Sequence, residues 1–212
     1  MTKTSKSVEL DILEDTEWLE FYQQNPVAAA EDFLIRDGMP LKLPPHQRII
    51  LKDLWSGTPF VMMILTRGGG KTTIDAIYYV LRGILFPGER LGIISGSFRQ
   101  AKKTFDEIAR FYNESPILQR CSKKGPVRPT DECVWEITGN GSIIKALPIG
   151  DGQKIRGERF FRLFIDEFPQ VNEDVFNAVI MPMLATRKHP TLPIGSAAEG
   201  NQLILASTAT WQ

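Results

Sequence analysis

Two cysteines among 212 residues, Cys121 and Cys133, are too few for a disulfide framework, and they do not have the paired spacing of a zinc site. Each reads as a small, half-buried apolar residue in a reducing compartment. There is no excess of either charge: Lys+Arg and Asp+Glu number 25 each. A nucleic-acid partner therefore has to be argued from local patches and not from net charge. No apolar run approaches the roughly 20 residues that cross a bilayer. The N-terminus, MTKTSKSVELDILEDTEW, has no apolar core of a signal peptide and turns acidic. These absences set the expectation of a soluble intracellular protein that does not engage a membrane.

What is present is ordinary globular material, with 42% apolar and 24% charged residues. The length is enough for one sizeable core, or a core with a small appendage. Residues 1–7 read as a polar tail. DTEWLEFYQQ and PVAAAEDFLI read as two short helices, the second opened by Pro26. LPPHQRIILKDLW reads as a third, with Ile49, Ile50 and Leu54 on one face. PFVMMIL, RLGIIS, FFRLFIDE and QLILAS are short apolar runs expected to be strands covered on both faces. KTTIDAIYYVLRGILF, FRQAKKTFDEIARFY and NEDVFNAVIMPML are helical in length and spacing, the second with Phe105, Ile108 and Phe111 or Tyr112 inward. CVWEIT and SIIKALPI, joined through Asn140-Gly141, read as a β-hairpin. Residues 186–201 read as loop, and no internal repeat is visible. Trp18, Trp55 and Trp135 are expected to pack in or against the core. Strands alternating with helices imply an α/β fold with a mainly parallel central sheet flanked by helices and an inserted β-hairpin.

Thr66 to Thr73, TRGGGKTT, almost spells the phosphate-binding P-loop G-x-x-x-x-G-K-[ST], with Leu65 where its first glycine belongs. An apolar strand leads in and a helix leads out. In that setting the amides of Gly68, Gly69, Gly70, Lys71 and Thr72 point at a bound phosphate. Lys71 then reaches the β- and γ-phosphates of ATP, and the Thr72 hydroxyl is a ligand for Mg²⁺. The alternative is a flexible glycine-rich turn with a solvated lysine. A P-loop calls for an acid at the tip of a second buried strand, and FRLFIDE supplies two. Asp166 is the expected metal acid, and Glu167 the expected base that polarises a water for in-line attack. Two adjacent acids favour hydrolysis over phosphoryl transfer to an organic acceptor.

This set resembles the ATPase domain of the large terminase subunit, the DNA-packaging motor of tailed bacteriophages, over roughly residues 40–212. The resemblance implies a P-loop NTPase of the ASCE, RecA-like kind. It implies that Arg67, three places before the Gly-Lys pair, neutralises charge on the transferring phosphoryl group. Gln47, in LPPHQRII, matches an adenine-reading glutamine. Arg156 and Gly157, in DGQKIRGERFF, match an Arg-Gly segment ahead of the acidic strand. Ser207, Thr208, Ala209 and Thr210 match a coupling motif, and SGSFRQAKKTF matches the motif after the second strand. Catalysis is thus assigned to Glu167, Arg67 and Arg156, and ATP binding to Gln47 and the residues Thr66 to Thr73.

The resemblance also implies partners for the full-length protein: double-stranded DNA, a portal protein, a small terminase subunit, and further copies in a ring on the procapsid, in the host cytoplasm. Residues 1–40 would form an N-terminal tail with short helices, and residues 41–212 the ATPase core. The nuclease domain of complete large subunits has no counterpart here, so the chain is read as a fragment without nuclease activity, monomeric in isolation. A helicase-like translocase and a nucleotide-binding switch or scaffold without turnover are the competing readings. Two basic groups stay open: Lys154, Arg156, Arg159 and Arg162, and also Arg99, Lys102 and Lys103. Each would serve a neighbouring subunit's nucleotide, touch DNA phosphates, or form a solvated face.

Overall fold

The computed structural model describes residues 16–128, 133–150, 155–184 and 200–208. Helices α1 (Thr16–Gln24) and α2 (Pro26–Phe33) come first, followed by a two-stranded antiparallel ribbon of β1 (Ile35–Arg36) and β2 (Met39–Pro40). Then follow α3 (Pro45–Trp55), β3 (Phe60–Leu65), α4 (Lys71–Leu85), β4 (Arg90–Ser95), α5 (Phe98–Glu114) and α6 (Pro116–Cys121). β5 (Cys133–Ile137), β6 (Ser142–Pro148) and β7 (Arg162–Asp166) precede a 3₁₀ turn, Phe168–Gln170. Helix α7 (Glu173–Val175), a π-helical stretch (Phe176–Ile180), α8 (Met181–Met183) and β8 (Gln202–Thr208) complete the chain.

Six strands form one sheet in the order β3-β8-β7-β4-β6-β5, and every neighbouring pair is parallel except β6 and β5. The α/β class is therefore as the sequence implies. The hairpin expected around Asn140-Gly141 is present, but it is not set apart: β6 pairs in parallel with β4, and the hairpin extends the central sheet.

Alternation along the strands builds two cores, one on each face of the sheet. Leu91 and Ile93 of β4, Phe164 of β7 and Ile204 of β8 join the larger core with α1 to α5. Ile94, Leu163, Ile165 and Leu203 face a second core with Val179, Ile180 and Met183. Helix α4 is buried on nearly all sides from Ile74 to Leu85, Asp75 and Arg82 included. β4 approaches its neighbours closely at Gly92, where a Cβ would lie 2.7 Å from Leu163 and 2.8 Å from the Phe160 ring. Trp55 and Trp135 are buried, whereas Trp18 lies near the surface, stacked on Tyr22. Cys133 is buried and Cys121 half-buried.

Two expectations fail here. β3 is an edge strand, and Phe60, Met62 and Ile64 are exposed along one of its faces. An unbroken apolar run cannot distinguish a doubly covered strand from one covered on a single face. Ile49 is also exposed, because α3 packs through Leu51, Leu54 and Trp55. Among the described residues no helix is long and apolar enough to cross a membrane.

At the N-terminal ends of the strands lies a buried polar network. The Arg82 guanidinium pairs with Glu89 and lies 3.7 Å from the centre of the Phe86 ring. Arg162 donates to Glu89 at 3.4 Å and to Gln202 Oε1 at 3.1 Å, and the Tyr78 hydroxyl donates to the same Gln202 oxygen. The Gln202 amide then donates to the carbonyls of Leu54 and Thr58, both at 3.0 Å. Arg162 is thus interior, at the opposite end of β7 from Asp166, and does not belong to the surface basic cluster read from the sequence.

Candidate active site

The loop between β3 and α4 starts at an exposed turn, where the Gly69 amide donates to the Thr66 carbonyl at 3.0 Å. Gly68 and Gly70 have φ of +81° and +80°, a left-handed backbone that side-chain-bearing residues rarely adopt. Gly70 caps α4, and the first intrahelical bond runs from the Ile74 amide to the Gly70 carbonyl at 2.9 Å. The amides of Lys71, Thr72 and Thr73 at that helix start are the groups a phosphate would meet.

Gln47 reaches this loop from α3. A Cβ on Gly70 would lie 2.0 Å from Gln47 Nε2, so the two residues are in direct apposition. The contact gives a prediction. Gly70→Ala combines a left-handed backbone with that clash and is expected to cost at least about 1–2 kcal/mol. For a chain of this size, that lowers Tm by at least about 2 °C in a thermal unfolding scan. An unchanged Tm would mean that the loop does not hold Gly70 in the left-handed conformation.

Opposite the loop, β7 ends at Asp166, and Glu167 follows with φ +53°, one of two described non-glycine residues in the left-handed region. The Asp166 Oδ1 atom accepts from the Glu167 amide at 3.0 Å, which helps hold this unusual backbone. Lys71 Nζ lies 2.6 Å from Asp166 Oδ1 and 3.4 Å from Glu167 Oε1. Burial pulls the Lys71 ammonium pKa down, but the hydrogen bond and charge of Asp166, with Glu167 beside it, outweigh this and leave it raised. The lysine is firmly a cation.

β8 lies between β3 and β7, with Leu65 in register with Thr208. It therefore delivers Thr208 to the gap between loop and acids, where its hydroxyl donates to Glu167 Oε1 at 2.9 Å. Among the described residues, Ser207 Oγ reaches only the Thr208 carbonyl, at 3.5 Å. Ala209 and Thr210 lie outside the described residues, as does Lys154.

The structure thus brings Gln47, Gly70, Lys71, Asp166, Glu167 and Thr208 together. Arg67 is exposed on the loop, and Arg156 is exposed on the turn over residues 155–157; neither makes an ion pair with a described residue. Arg159 is exposed and donates to the Glu158 carbonyl at 2.9 Å. The Thr73 hydroxyl is committed elsewhere: it accepts from Arg36 Nη1 at 3.2 Å and donates to Glu107 Oε1 at 3.2 Å. A role in phosphate binding is left to its amide.

Two neighbours of the site are not apparent from sequence reading. Arg36, on the β1–β2 ribbon, pairs with Glu107 of α5 at 2.7 Å and so ties both elements to the first turn of α4. Asp75, one turn beyond Lys71, is fully buried, and among the described residues neither carboxylate oxygen has a hydrogen-bond partner. Burial first, and the charge of Asp166 second, push its pKa well above the usual carboxylate range. Its only signal in sequence is a single charge inside the apolar run IDAIYY.

The donor set also bears on a metal. Among the described residues no group of three or more His, Cys, Asp or Glu side chains could enclose one. The Thr72 hydroxyl makes no hydrogen bond to a described residue, and Asp166 stands across from the loop. One hydroxyl and one carboxylate fit Mg²⁺, which keeps water and phosphate oxygens for most of its shell.

No protein-family model and no curated protein matches the sequence. Solved structures do match the fold. The large terminase of bacteriophage HK97 aligns with a TM-score of 0.65 at 20% identity, over 89% of this chain and 37% of the other. The large terminase ATPase domain of Thermus phage P74-26 aligns at 0.57 and 14%, over 93% and 71%. A large terminase from another thermophilic bacteriophage, solved in complex with ADP, aligns at 0.53 and 13%, over 78% and 38%. The chain therefore has the fold of a large-terminase ATPase domain, and it spans about a third of the length of the HK97 protein.

Proposed function

We propose that this chain is the ATPase domain of a large terminase, which hydrolyses ATP to drive double-stranded viral DNA into a procapsid. The observation that carries this reading is the meeting of Lys71, Asp166, Glu167 and Thr208, delivered by three adjacent parallel strands to one end of the sheet. The terminase solved in complex with ADP supports the choice of nucleotide.

In this reading Lys71 exchanges Asp166 for phosphate oxygens, while the loop amides and the start of α4 take the rest of the charge. Gln47, already on Gly70, reads the adenine. Thr72 and Asp166 would hold Mg²⁺, which would neutralise phosphate charge. Glu167 takes a proton from the water whose oxygen bonds to the γ-phosphorus as the bond to the β–γ bridging oxygen breaks, giving ADP and phosphate. Arg67 faces the developing charge, and Arg156 serves as a further arginine, of its own site or a neighbour's. Thr208 holds the Glu167 carboxylate and links its position to β8. The whole protein would work with a portal protein, a small subunit and further copies of itself in a ring, in the host cytoplasm.

The direct test is ATP binding and Mg²⁺-dependent hydrolysis by the 212-residue chain beside Lys71→Met. The parent is expected to bind ATP, and the variant to bind at least about tenfold more weakly, since a charge-assisted contact contributes about 1.5–3 kcal/mol. Equal binding by both proteins, or none by the parent, would refute the assignment.

A further inference from the structure

Beside the acids, on the side away from the phosphate loop, a groove of about 610 Å³ opens between the start of α5, the end of β6 and the segment after Glu167. Arg99 and Lys103 line it with Gln100, Gly150, Gln170 and Asn172, and among the described residues none of its lining is acidic. Arg99 and Lys103 are exposed, and neither pairs with a described residue. They stand four apart on one helix, a spacing at which like charges repel, and Arg99 sits in the first turn, where the helix dipole disfavours a cation. Both costs vanish when an anion lies across the pair. The remaining lining mixes the amide side chains of Gln100, Gln170 and Asn172, Ser97 and glycine backbone with Ile149, Val171 and Val175, and its polar groups are suited to phosphate and sugar oxygens.

We infer that this groove takes the phosphodiester backbone of double-stranded DNA, with Arg99 and Lys103 as its phosphate contacts. The inference rests on the proposed function for its choice of duplex, and it adds a site and a route to the chemistry. Gln170 closes the 3₁₀ turn that starts at Glu167, its amide donating to the Glu167 carbonyl at 2.9 Å. A strand held against Gln170 therefore bears on the turn that carries the proposed base.

The test measures binding of a short labelled duplex by fluorescence anisotropy across a salt series, for the parent chain and for Arg99→Gln/Lys103→Gln. ATP affinity, thermal unfolding and sedimentation are measured on the same samples. Two lost phosphate contacts are expected to lower the slope of log K against log salt by about 1.8 and to weaken binding about tenfold or more at low salt. ATP affinity is expected to stay within about twofold, and unfolding to occur at the same temperature or higher. Failure of the parent to bind duplex, or an unchanged slope in the variant, would overturn the inference. A variant that loses self-association while keeping duplex binding would reassign the groove to a contact between copies and overturn it equally. Parallel loss of ATP binding and stability would show the two side chains to be structural, and Lys103→Gln alone then decides: an unchanged slope in that folded variant refutes the site. A salt-dependent loss in the variant of a chain that binds no ATP would leave the groove standing and refute the ATPase reading.

Discussion

Glu167→Gln is expected to bind ATP within about twofold of the parent and to turn it over about 10²–10⁴ times more slowly, the range that a general base contributes. The substitution keeps the size of the side chain and an oxygen that can accept from Thr208, so the contact at 2.9 Å has a substitute. It removes the basic oxygen. Lys71 keeps its closer partner, Asp166 at 2.6 Å, so the loop stays organised. Binding and single-turnover assays on the same preparation separate the two effects. Turnover within about threefold of the parent would remove Glu167 from the chemistry and leave Asp166 as the only acid at the strand tip. Loss of binding together with turnover would make Glu167 a structural support of the loop.

Glu89→Ala is expected to destabilise the chain by about 3–5 kcal/mol, the cost of stripping one partner from a buried ion pair. Glu89 is fully buried between two guanidinium groups, Arg82 and Arg162, which are themselves 1% exposed. Total stability for a domain is about 5–15 kcal/mol, so the loss takes a large share of it. Urea unfolding of the two proteins gives the difference directly, as a shift in midpoint at constant m. A difference below about 1 kcal/mol would show that the two arginines find other partners without cost. Glu89→Gln, which keeps an acceptor but not the charge, is expected to fall between the two.

The parts of this protein that are legible in its sequence are those where local pattern and local structure coincide. TRGGGKTT sits between an apolar run and an amphipathic stretch, and FRLFID ends in acids, so strand, loop, helix and acidic tip can be read in order. Asn140-Gly141 marks its own turn, and Gly141 indeed has φ +76°. What escapes reading depends on partners far away in the chain. Arg162 looks like one of several surface arginines until it is placed beside Glu89 and Gln202. PFVMMIL looks covered on both faces because periodicity carries no information about sheet order, and an edge strand exposes whatever lies on its open side. Thr73, next to the motif's own Thr72, is grouped with the ATP-binding residues by its position, and only the fold shows Arg36 and Glu107 claiming its hydroxyl. Helix α6 and the β1–β2 ribbon are too short for pattern to reveal.

β8 is fastened at both of its ends. At one end Gln202 is bonded to Tyr78, to Arg162 and to the carbonyls of Leu54 and Thr58; at the other Thr208 holds Glu167. In between, the strand is laddered to β3 along its whole length and to β7 along most of it. A strand so bonded behaves as a strut: it neither stretches nor bows without breaking several hydrogen bonds at once. Thr208 and Gln202, at its two ends, are thereby joined through one continuously hydrogen-bonded strand. Gln202 in turn reaches Leu54 of α3, the helix that carries Gln47. The residues proposed to meet the two ends of the nucleotide are thus linked through one hydrogen-bonded strand.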